Sequence, residues 1–590
     1  MTISREAVHH RPKSEYAYAL DESTVHVRLR TKRDDVGRCR LLHGDKYDWP
    51  ASKEFAPMRR VHADERFDYW QVAVEPEYRR LCYAFLLEDD DEGLWWTEEG
   101  FESRSETELP TAGTDYPRGY FEYPYVHPVD VPETPEWVAD AVFYQIFPER
   151  FAKGDPARDP DDVEEWGGTP TRDNFFGGDL RGIVEKLDYL EELGVTALYL
   201  TPIFESPSNH KYNTTDYKRI DPHFGDEEAL RELVESAHDR GIRVMLDAVF
   251  NHCGRSFEPF QDVVDNGADS PYADWFHVRE FPIEFEPRPN YDAFAFEAYM
   301  PKLNTANPEV EEYLLEVAAY WIEEFDVDGW RLDVANEVDH EFWRELRREV
   351  KATKPEAYIL GEIWHDSRPW LQGDQFDAVM NYPFTDAVHA FLTEKSIDAT
   401  GFADRVGGQL VRYPEQVNRV LFNLLGSHDT PRLLTRLDGD AAAFRLALTL
   451  LLTYRGTPCL YYGDEVGMEG GEDPDCRRPM IWDRDEQDRE LRGFVRDLID
   501  LRTDERALRR GRLRFDREQC DGDRLVYRRV LPEGEDVVVT LNRGREPVAV
   551  ELPADEAGDR ELLLGVGDGE VRPPTDGTVE LPPTSAGIWR

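Results

Sequence analysis

The sequence predicts an α/β protein: a (β/α)8 TIM barrel with a small domain inserted after its third strand, an N-terminal β-sandwich and a C-terminal β-sandwich. Three observations lead to this prediction. The chain has 590 residues, which is the length of two to four domains. Its middle part alternates apolar runs of strand length with stretches of helical periodicity. Both ends instead show short runs that alternate with a period of two, as antiparallel sheets do.

Residues 1–130 are predicted to form the N-terminal β-sandwich. Apolar runs at residues 25–29, 69–74 and 81–87 are separated by polar turns at the spacing of a sandwich. Six aromatic residues could stack on sugar rings, although core packing or a subunit interface is the simpler explanation: Trp95, Trp96, Tyr120, Phe121, Tyr123 and Tyr125. The proline-rich residues 124–135 are interpreted as a linker.

Residues 131–505 are predicted to form the barrel. Eight strand candidates occur in this region, at residues 142–147, 195–200, 242–249, 327–334, 357–363, 376–380, 420–425 and 457–461. Helical stretches lie between them, at residues 180–193, 227–240, 310–325, 340–350 and 441–454. Strands that alternate with helices pair in parallel, and eight of them close a barrel.

Two further segments complete the predicted architecture. The connection after the third strand is too long for a plain loop, so residues 252–305, rich in Phe, Pro and Asp, are expected to form a small domain over one side of the barrel mouth. Residues 506–590 return to alternating strands, for example at 524–528 and 536–541. This part is predicted to be the C-terminal β-sandwich.

The chain is strongly acidic. Its net charge is -52, and its 70 basic residues are 12 lysines and 58 arginines. This balance argues against a nucleic-acid partner. The acids are spread over the chain and 40% of the residues are hydrophobic, so we expect a folded protein with an acidic surface. Such a surface suits a saline cytoplasm, where salt screens its self-repulsion; an ordinary acidic protein is the alternative.

Other compositional features place the protein inside the cell. Six scattered cysteines without metal-type spacing are interpreted as reduced thiols: Cys39, Cys82, Cys253, Cys459, Cys476 and Cys520. The first 21 residues lack the pattern of a signal peptide, and no apolar window is long enough to span a bilayer. We therefore expect a cytoplasmic protein without a membrane partner.

The stretch at residues 327–337 contains the first candidates for chemistry. If it forms a buried strand, its period of two places Arg331 and Asp333 on the same face. A guanidinium is charged at any accessible pH, so it would keep Asp333 ionised and oriented, as a nucleophile requires. A purely structural ion pair is the alternative.

Polar residues also stand at the ends of three other predicted strands. The third strand ends at residues 247–252, the fifth delivers Glu362, and the seventh ends at residues 427–429. The carboxyl ends of barrel strands share one mouth. There Asp333 could attack an anomeric carbon while Glu362, between apolar neighbours, donates a proton. Asp429 could hold substrate hydroxyls and favour the charged transition state.

In these segments the sequence resembles the α-amylase family of glycoside hydrolases. The resemblance rests on residues 247–252, 329–336, 361–365 and 427–429, together with Met300-Pro301-Lys302-Leu303-Asn304 in the insertion. Residues 143–151, 300–304 and 334–338 are similar to the group of cyclomaltodextrinases, neopullulanases and maltogenic amylases. The likeness covers nearly the whole chain.

The resemblance implies a role for each matching residue. Asp333 would be the nucleophile that forms a covalent glycosyl-enzyme, Glu362 the acid and then the base, and Asp429 the transition-state stabiliser. Ten further residues would bind substrate, in or beside the cleavage subsite: Arg331, His252, His428, Tyr212, Asn336, Glu337, Trp364, His365, Asp473 and Arg477.

No metal and no cofactor are expected to be required. The resemblance implies a calcium site in the loop after the first strand, but residues 153–159 carry Lys153 and Arg158 where we would expect asparagine. Two positive charges and two missing oxygen ligands argue against calcium. Four residues of such a site remain: Asp155, Asp159, Gly178 and Asp179. Salt bridges of Lys153 or Arg158 would then replace the ion.

The activity implied by the resemblance is retaining hydrolysis of α-1,4-glucosidic bonds in cyclodextrins and maltooligosaccharides. Pullulan and starch would be poorer substrates, and some transglycosylation would accompany hydrolysis. Another enzyme of the family, an α-glucosidase or a glucan transferase, stays open as the alternative, and a non-catalytic glucan-binding protein is the third. The resemblance also implies a homodimer in which the N-terminal domain, which is like a carbohydrate-binding domain, reaches over the partner's active site.

Overall fold

The computed structural model describes residues 3–89, 92–103, 116–552, 560–567, 569–574 and 577–590. Along this chain a β-sandwich, a barrel of parallel strands and a second β-sandwich follow one another. The predicted fold class is therefore confirmed. Among the residues in these ranges, no helix is both long and apolar enough to cross a bilayer.

The described part of the N-terminal domain contains the short helix α1 (Trp49–Ser52) and ten strands: β1 (Ala17–Ala19), β2 (Val25–Lys32), β3 (Arg38–Gly44), β4 (Glu54–Pro57), β5 (Arg59–Ala63), β6 (Phe67–Val74), β7 (Leu81–Asp89), β8 (Glu92–Thr97), β9 (Gly100–Ser103) and β10 (Phe121–Tyr123). One antiparallel sheet has the order β1-β2-β6-β5, and the other the order β4-β3-β7-β8-β9 with β10 beside β7. Trp95, Tyr120, Phe121 and Tyr123 are buried in this domain, which supports packing as their role, whereas Tyr125 is exposed.

The barrel consists of eight parallel strands: β11 (Phe143–Ile146), β12 (Ala197–Leu200), β15 (Arg243–Ala248), β16 (Gly329–Leu332), β17 (Tyr358–Gly361), β18 (Ala378–Val379), β19 (Phe422–Asn423) and β20 (Thr457–Tyr461). A short hairpin, β13 (Phe204–Glu205) and β14 (Asp216–Ile220), follows the second of them. Each barrel strand lies within a predicted run, and their order is β18-β17-β16-β15-β12-β11-β20-β19. A single parallel bridge between Met380 and Phe422 joins β18 to β19 and closes the ring.

Helices surround the strands of the barrel. They are α2 (Pro148–Phe151), α3 (Leu180–Val184), α4 (Leu187–Leu193), α5 (Glu227–His238), α7 (Pro308–Phe325), α8 (His340–Thr353), α9 (Tyr382–Val388), α10 (Ala399–Leu410), α11 (Glu415–Val420), α12 (Leu433–Arg436), α13 (Ala441–Thr453), α14 (Arg489–Asp504) and α15 (Arg506–Arg510). The predicted helix at residues 180–193 is divided into α3 and α4. The break lies at Lys186, whose φ of -107° and ψ of 3° are not helical, and the Asp179 carboxylate caps the start of α3 at the Gly182 N–H.

The segment after β15 folds into the predicted insertion. It contains α6 (Glu258–Asn266), and four isolated bridges tie its two ends together, among them His252 to Lys302 and Phe276 to Leu303. These bridges bring the end of the insertion back to the carboxyl end of β15. The insertion thus forms one wall above the barrel mouth.

Seven strands occur among the described residues of the C-terminal domain: β21 (Arg512–Phe515), β22 (Arg524–Val530), β23 (Asp536–Asn542), β24 (Val548–Glu551), β25 (Leu562–Val566), β26 (Thr578–Leu581) and β27 (Ser585–Trp589). Five of them form a sheet of order β21-β22-β23-β27-β25, and β24 pairs with β26. Hydrophobic side chains of both sheets, such as Val538, Val550 and Trp589, share one buried cluster. Sheet-on-sheet packing of this kind is a sandwich.

The three domains meet around Glu415, the first residue of α11. Its carboxylate forms salt bridges with Arg455 of the barrel and with Arg512 of the C-terminal domain, the latter at 3.2 Å. Its backbone N–H donates to the Tyr18 hydroxyl of the N-terminal domain at 3.2 Å. Glu415 is buried. One buried residue therefore contacts all three domains, the barrel and the C-terminal domain through its carboxylate and the N-terminal domain through its backbone.

Candidate active site

A cleft of about 890 Å³ opens at the carboxyl ends of the barrel strands, between the barrel and the insertion. Its walls come from the loops after several strands and from the insertion. The lining residues are Arg172, Asp173, Pro207, Ser208, His210, Tyr212, Asn213, His252, Phe294, Tyr299, Met300, Asp333, Val334, Asn336, Glu337, Glu362, Trp364, Asp429, Asp473 and Arg477. A concave site with carboxylates and aromatic rings suits a sugar chain.

Arg331 lies at the floor of the cleft and is fully buried. The register of the parallel strands places it directly beside Asp247 on β15. Its Nη1 lies 2.7 Å from Asp333 Oδ1 and 3.2 Å from both carboxylate oxygens of Asp247. Its Nη2 lies 2.9 Å from Glu362 Oε1. One guanidinium therefore holds three carboxylates, two of which are the predicted nucleophile and the predicted acid.

The charges of this cluster do not balance. If all three carboxylates were ionised, they and the guanidinium would carry a net charge of about -2 in a buried site. Burial raises the pKa of Asp247 to about 6, with Arg331 opposing the shift. Burial likewise raises the pKa of Asp333, and the neighbouring carboxylates add to the rise. Arg331 orients Asp333 as expected. Because its positive charge is shared among three carboxylates, it does not keep the nucleophile ionised by itself.

Two N–H groups bind the carboxylate of Glu362. The backbone N–H of Val334 donates to Oε2 at 3.0 Å, and Nε1 of Trp364 donates to Oε1 at 3.1 Å. Val334 follows the nucleophile and has φ 46° and ψ 41°. This left-handed conformation is strained for a β-branched residue and is typical of functional sites. Here the strained residue directs its N–H at the predicted acid.

The third carboxylate, Asp429, stands on the open side of the cleft. Arg477 Nη2 lies 3.2 Å from Asp429 Oδ1, and Arg477 Nη1 lies 3.0 Å from Asp473 Oδ1. The Nε of Arg477 also donates to the His428 carbonyl at 2.7 Å. About a third of the Asp429 side chain is exposed. Arg477 thus fixes both aspartates while leaving Asp429 accessible to a ligand.

A chain of hydrogen bonds runs beneath the cleft and fixes the protonation of His428. Gln145 Nε2 donates to His428 Nδ1 at 2.7 Å, so Nε2 carries the imidazole proton. That Nε2 lies 2.7 Å from the Tyr212 hydroxyl, which in turn donates to Asp247 Oδ2 at 2.9 Å. Burial, together with Arg477 and Arg331, lowers the pKa of His428. His428 is a neutral hydrogen-bond donor in this arrangement.

His252 and the remaining predicted ligands have separate positions around the cleft. Burial lowers the pKa of His252 to about 3, so its ring is neutral, and it stacks on Phe294 with ring centroids 5.0 Å apart. Asn336 and Glu337 also line the cleft. Lys302 Nζ donates to the Glu337 carbonyl at 2.9 Å and lies 3.7 Å from its carboxylate.

His365 is not where the sequence placed it. In the part of the chain that the structure describes, it is exposed, does not belong to the cleft lining and packs beside Trp370 with ring centroids 5.8 Å apart. β17 ends at Gly361, so the chain beyond Glu362 is no longer extended. Trp364 points to the cleft, and the next side chain turns away from it.

Ten residues of the lining are not among the site residues predicted from the sequence: Arg172, Asp173, Pro207, Ser208, His210, Asn213, Phe294, Tyr299, Met300 and Val334. Phe294 and Tyr299 precede the Met300 segment in the aromatic-rich insertion, which is a signal that could have identified them. Residues 172–173 lie in an irregular loop and carry no comparable signal. Asp247 was noted at a strand end, but its contact with Arg331 depends on strand register.

The loop after β11 is the only place where the resemblance implied a metal, and its contacts do not fit a calcium ion. Lys153 forms a salt bridge with Asp159, and Arg158 forms one with Asp226. Asp179 Oδ2 accepts the backbone N–H of Asp155 at 2.7 Å, and its Oδ1 accepts that of Gly182 at 2.6 Å. The Lys153 ammonium and backbone N–H groups thus take up oxygens of Asp159 and Asp179 that calcium would need, although Asp159 Oδ1 is buried without a hydrogen-bond partner among the described residues. No cluster of three or more His, Cys, Asp or Glu with metal geometry occurs among the described residues.

Three comparisons identify similar proteins. Residues 145–498 match the model of the α-amylase catalytic domain, residues 1–127 that of the α-amylase N-terminal Ig-like domain, and residues 513–588 a domain of unknown function. The chain is 54% identical to a cyclomaltodextrinase of Geobacillus thermopakistaniensis over 98% of each chain. It is 48% identical to neopullulanase 2 of Thermoactinomyces vulgaris, over 95% of this chain and 94% of that protein. A solved cyclomaltodextrinase structure superimposes with a TM-score of 0.92 at 48% identity, over 99% of this chain and 100% of the other.

Proposed function

The chain belongs to the α-amylase family of glycoside hydrolases and is a glycosidase, and we propose that it hydrolyses α-1,4-glucosidic bonds of cyclodextrins and maltooligosaccharides with retention of configuration. The observation that carries this proposal is the placement of Asp333 and Glu362 on neighbouring nitrogens of one guanidinium, with Asp429 across the cleft. Two carboxyl groups held close together leave the nucleophile in direct reach of the anomeric carbon, as in retaining enzymes. The names of the relatives support the substrate class.

The proposed reaction has two steps. In the first, Asp333 attacks the anomeric carbon, the bond to the glycosidic oxygen breaks, and Glu362 gives its proton to that oxygen. Asp429, oriented by Arg477, holds ring hydroxyls as positive charge develops. In the second step Glu362 takes a proton from water, whose oxygen attacks the anomeric carbon and releases Asp333. A sugar hydroxyl in place of water gives transglycosylation.

The remaining predicted ligands are proposed to divide between the two sides of the scissile bond. His252, His428, Tyr212 and Arg331 surround the sugar that becomes bound to the enzyme, as donors and as an apolar platform. Asp473 and Arg477 would contact the next sugar on that side. Asn336, Glu337 and Trp364 face the departing sugar and would decide between water and a sugar as acceptor.

The substrate proposal is tested by a time course on β-cyclodextrin and soluble starch side by side. In concentrated KCl we expect faster loss of cyclodextrin, with maltose and glucose as main products and the α-anomer formed first. Product chromatography gives the substrate preference and proton NMR gives the anomer. Faster loss of starch would instead indicate a general amylase, a predominance of longer products a transferase, and the β-anomer first would contradict retention.

We propose further that the protein needs no calcium, because the Lys153 ammonium occupies the place of the ion beside Asp159. The melting temperature is expected to be the same in EDTA and in millimolar CaCl2, since nothing is lost with the metal. As a control, Lys153→Met removes the salt bridge and should lower the melting temperature in both buffers. A higher melting temperature of the unaltered protein in calcium would contradict the proposal.

We also propose a homodimer that works in a salt-rich cytoplasm. The N-terminal domain exposes Tyr47 and Tyr78, with the Arg80 guanidinium over both rings, which is a suitable contact surface for a second copy. The net charge of -52 and six buried free cysteines support the salt-adapted, reducing location. Sedimentation equilibrium at several KCl concentrations gives the subunit number; a monomer at every concentration would exclude the dimer.

A further inference from the structure

The carboxylate of Glu362 has the surroundings of an ionised group. Oε1 lies 2.9 Å from the Arg331 guanidinium and accepts the Trp364 N–H at 3.1 Å, while Oε2 accepts the Val334 N–H at 3.0 Å. Both oxygens act as acceptors, and hydrogen bonds and a cation directed at a carboxylate favour its ionised form. Loss of one of these contacts therefore favours the protonated form that the first step needs.

Trp364 provides the contact that can be lost most easily. Arg331 is fully buried and is held by Asp247 and Asp333 as well, and the Val334 N–H belongs to the backbone. The Trp364 side chain, in contrast, is 49% exposed on the open wall of the cleft. One face of its indole stacks on Tyr382, with ring centroids 3.7 Å apart and planes at 9°. The other face is free to contact a sugar on the leaving-group side.

We propose that Trp364 is a positioning residue that couples binding of the leaving-group sugar to the protonation of Glu362. This inference rests on the proposed function of Glu362. When a sugar packs against the indole, Nε1 moves away from Oε1, which takes a proton from solvent and passes it to the glycosidic oxygen. When the released sugar departs, the N–H returns and stabilises the carboxylate, which is the form that accepts a proton from the attacking water.

Other charged and titratable groups face Glu362 from the surrounding elements and stay in place during this exchange. They are Arg331 and Asp333 at the end of β16, Asp247 on β15, Tyr199 on β12, His428 after β19 and Tyr382 at the start of α9. All of them are buried. Among the residues around Glu362, Trp364 is therefore the one whose side chain a bound substrate can displace.

The test is the pH dependence of kcat/KM for maltotriose with Trp364 replaced by its benzothiophene isostere, which keeps the shape and the stacking surface but lacks the N–H. Loss of a hydrogen-bond donor to the Glu362 carboxylate favours its protonated form. The alkaline limb of the pH profile of kcat/KM should therefore move to a pH about one unit higher. Trp364→Phe should move it in the same direction. Tyr382→Phe, which keeps the N–H, should leave the limb where it is.

α-Maltosyl fluoride separates failure of this inference from failure of the proposed function. Its leaving group needs no proton, so neither Trp364 variant should shift its alkaline limb. If Glu362→Gln releases fluoride in the first turnover but does not cleave maltotriose, and the isostere has an unshifted profile on maltotriose, the coupling by Trp364 is refuted while the acid role of Glu362 stands. If Glu362→Gln still hydrolyses maltotriose, the proposed function fails and the inference fails with it.

Discussion

Replacing Asp333 by asparagine is expected to lower kcat/KM for maltooligosaccharides roughly 10⁴- to 10⁶-fold, because the covalent intermediate cannot form. The side chain keeps its shape, so the contact with Arg331 changes little in geometry. Glu362→Gln should cause a loss of about 10²- to 10⁴-fold on the same substrates, which is the contribution of general acid catalysis. Steady-state kinetics on maltotriose measures both losses.

The same substitution of Asp333 should raise the melting temperature. The pKa of Asp333 is raised in the folded protein, so its ionised form costs stability at neutral pH, and that cost disappears as pH falls through the raised pKa. An asparagine at this position carries no charge, so it removes this loss of stability. Calorimetry at pH 7 and at pH 4 should show a gain that is larger at pH 7. An inactive variant that is also less stable would mean that the fold, not the chemistry, had been damaged.

Glu415→Gln is expected to destabilise the protein by about 3–5 kcal/mol, because it leaves the buried guanidinium of Arg455 without its counter-ion. The melting temperature should fall, and calorimetry should show a separate transition of the C-terminal domain, since the carboxylate that joins it to the barrel through Arg512 and Arg455 is lost. Glu228→Gln on the exposed face of α5 makes the same change of charge and is the control. Equal melting temperatures of the two variants would contradict the role assigned to the junction.

The pH dependence of stability gives an independent measure of Glu415. Burial alone would raise the pKa of Glu415, but Arg455 and Arg512 lower it well below its usual range. The carboxylate therefore stabilises the protein fully above the ordinary carboxyl pKa, and this contribution is lost as the pH falls towards the depressed value. Glu415→Gln should lose less stability than the unaltered protein between pH 5 and pH 3.

The sequence was sufficient to predict the barrel and the three carboxylates at its mouth. Each of the eight apolar runs contains a strand of the barrel. Strands that alternate with helices pair in parallel, and eight of them close into a barrel. Asp333, Glu362 and Asp429 follow three of these strands, and parallel topology brings such residues together. No further information was needed for this part of the site.

The rest of the site depends on geometry that sequence patterns do not contain. The contact of Asp247 with Arg331 follows from the register between β15 and β16, and a shift by one residue would remove it. The left-handed Val334 contradicts the ordinary preference of a β-branched residue. The stack of Trp364 on Tyr382 joins residues 18 positions apart across the end of two strands. His365 was misplaced because period two does not continue past the end of β17.

The closure of the barrel between β18 and β19 has a consequence for the order in which the protein loses activity and structure on heating. These strands have two residues each and are joined by one bridge between Met380 and Phe422, so few hydrogen bonds hold them together. Weakly bonded elements are the first to open. Tyr382 lies two residues beyond the bridge, whereas Asp333 directly follows β16, which is paired along both edges. Heat should therefore displace Tyr382, and with it the Trp364 ring that stacks on it beside Glu362, while Asp333 is still in place. The enzyme should lose activity at a lower temperature than the one at which its barrel unfolds.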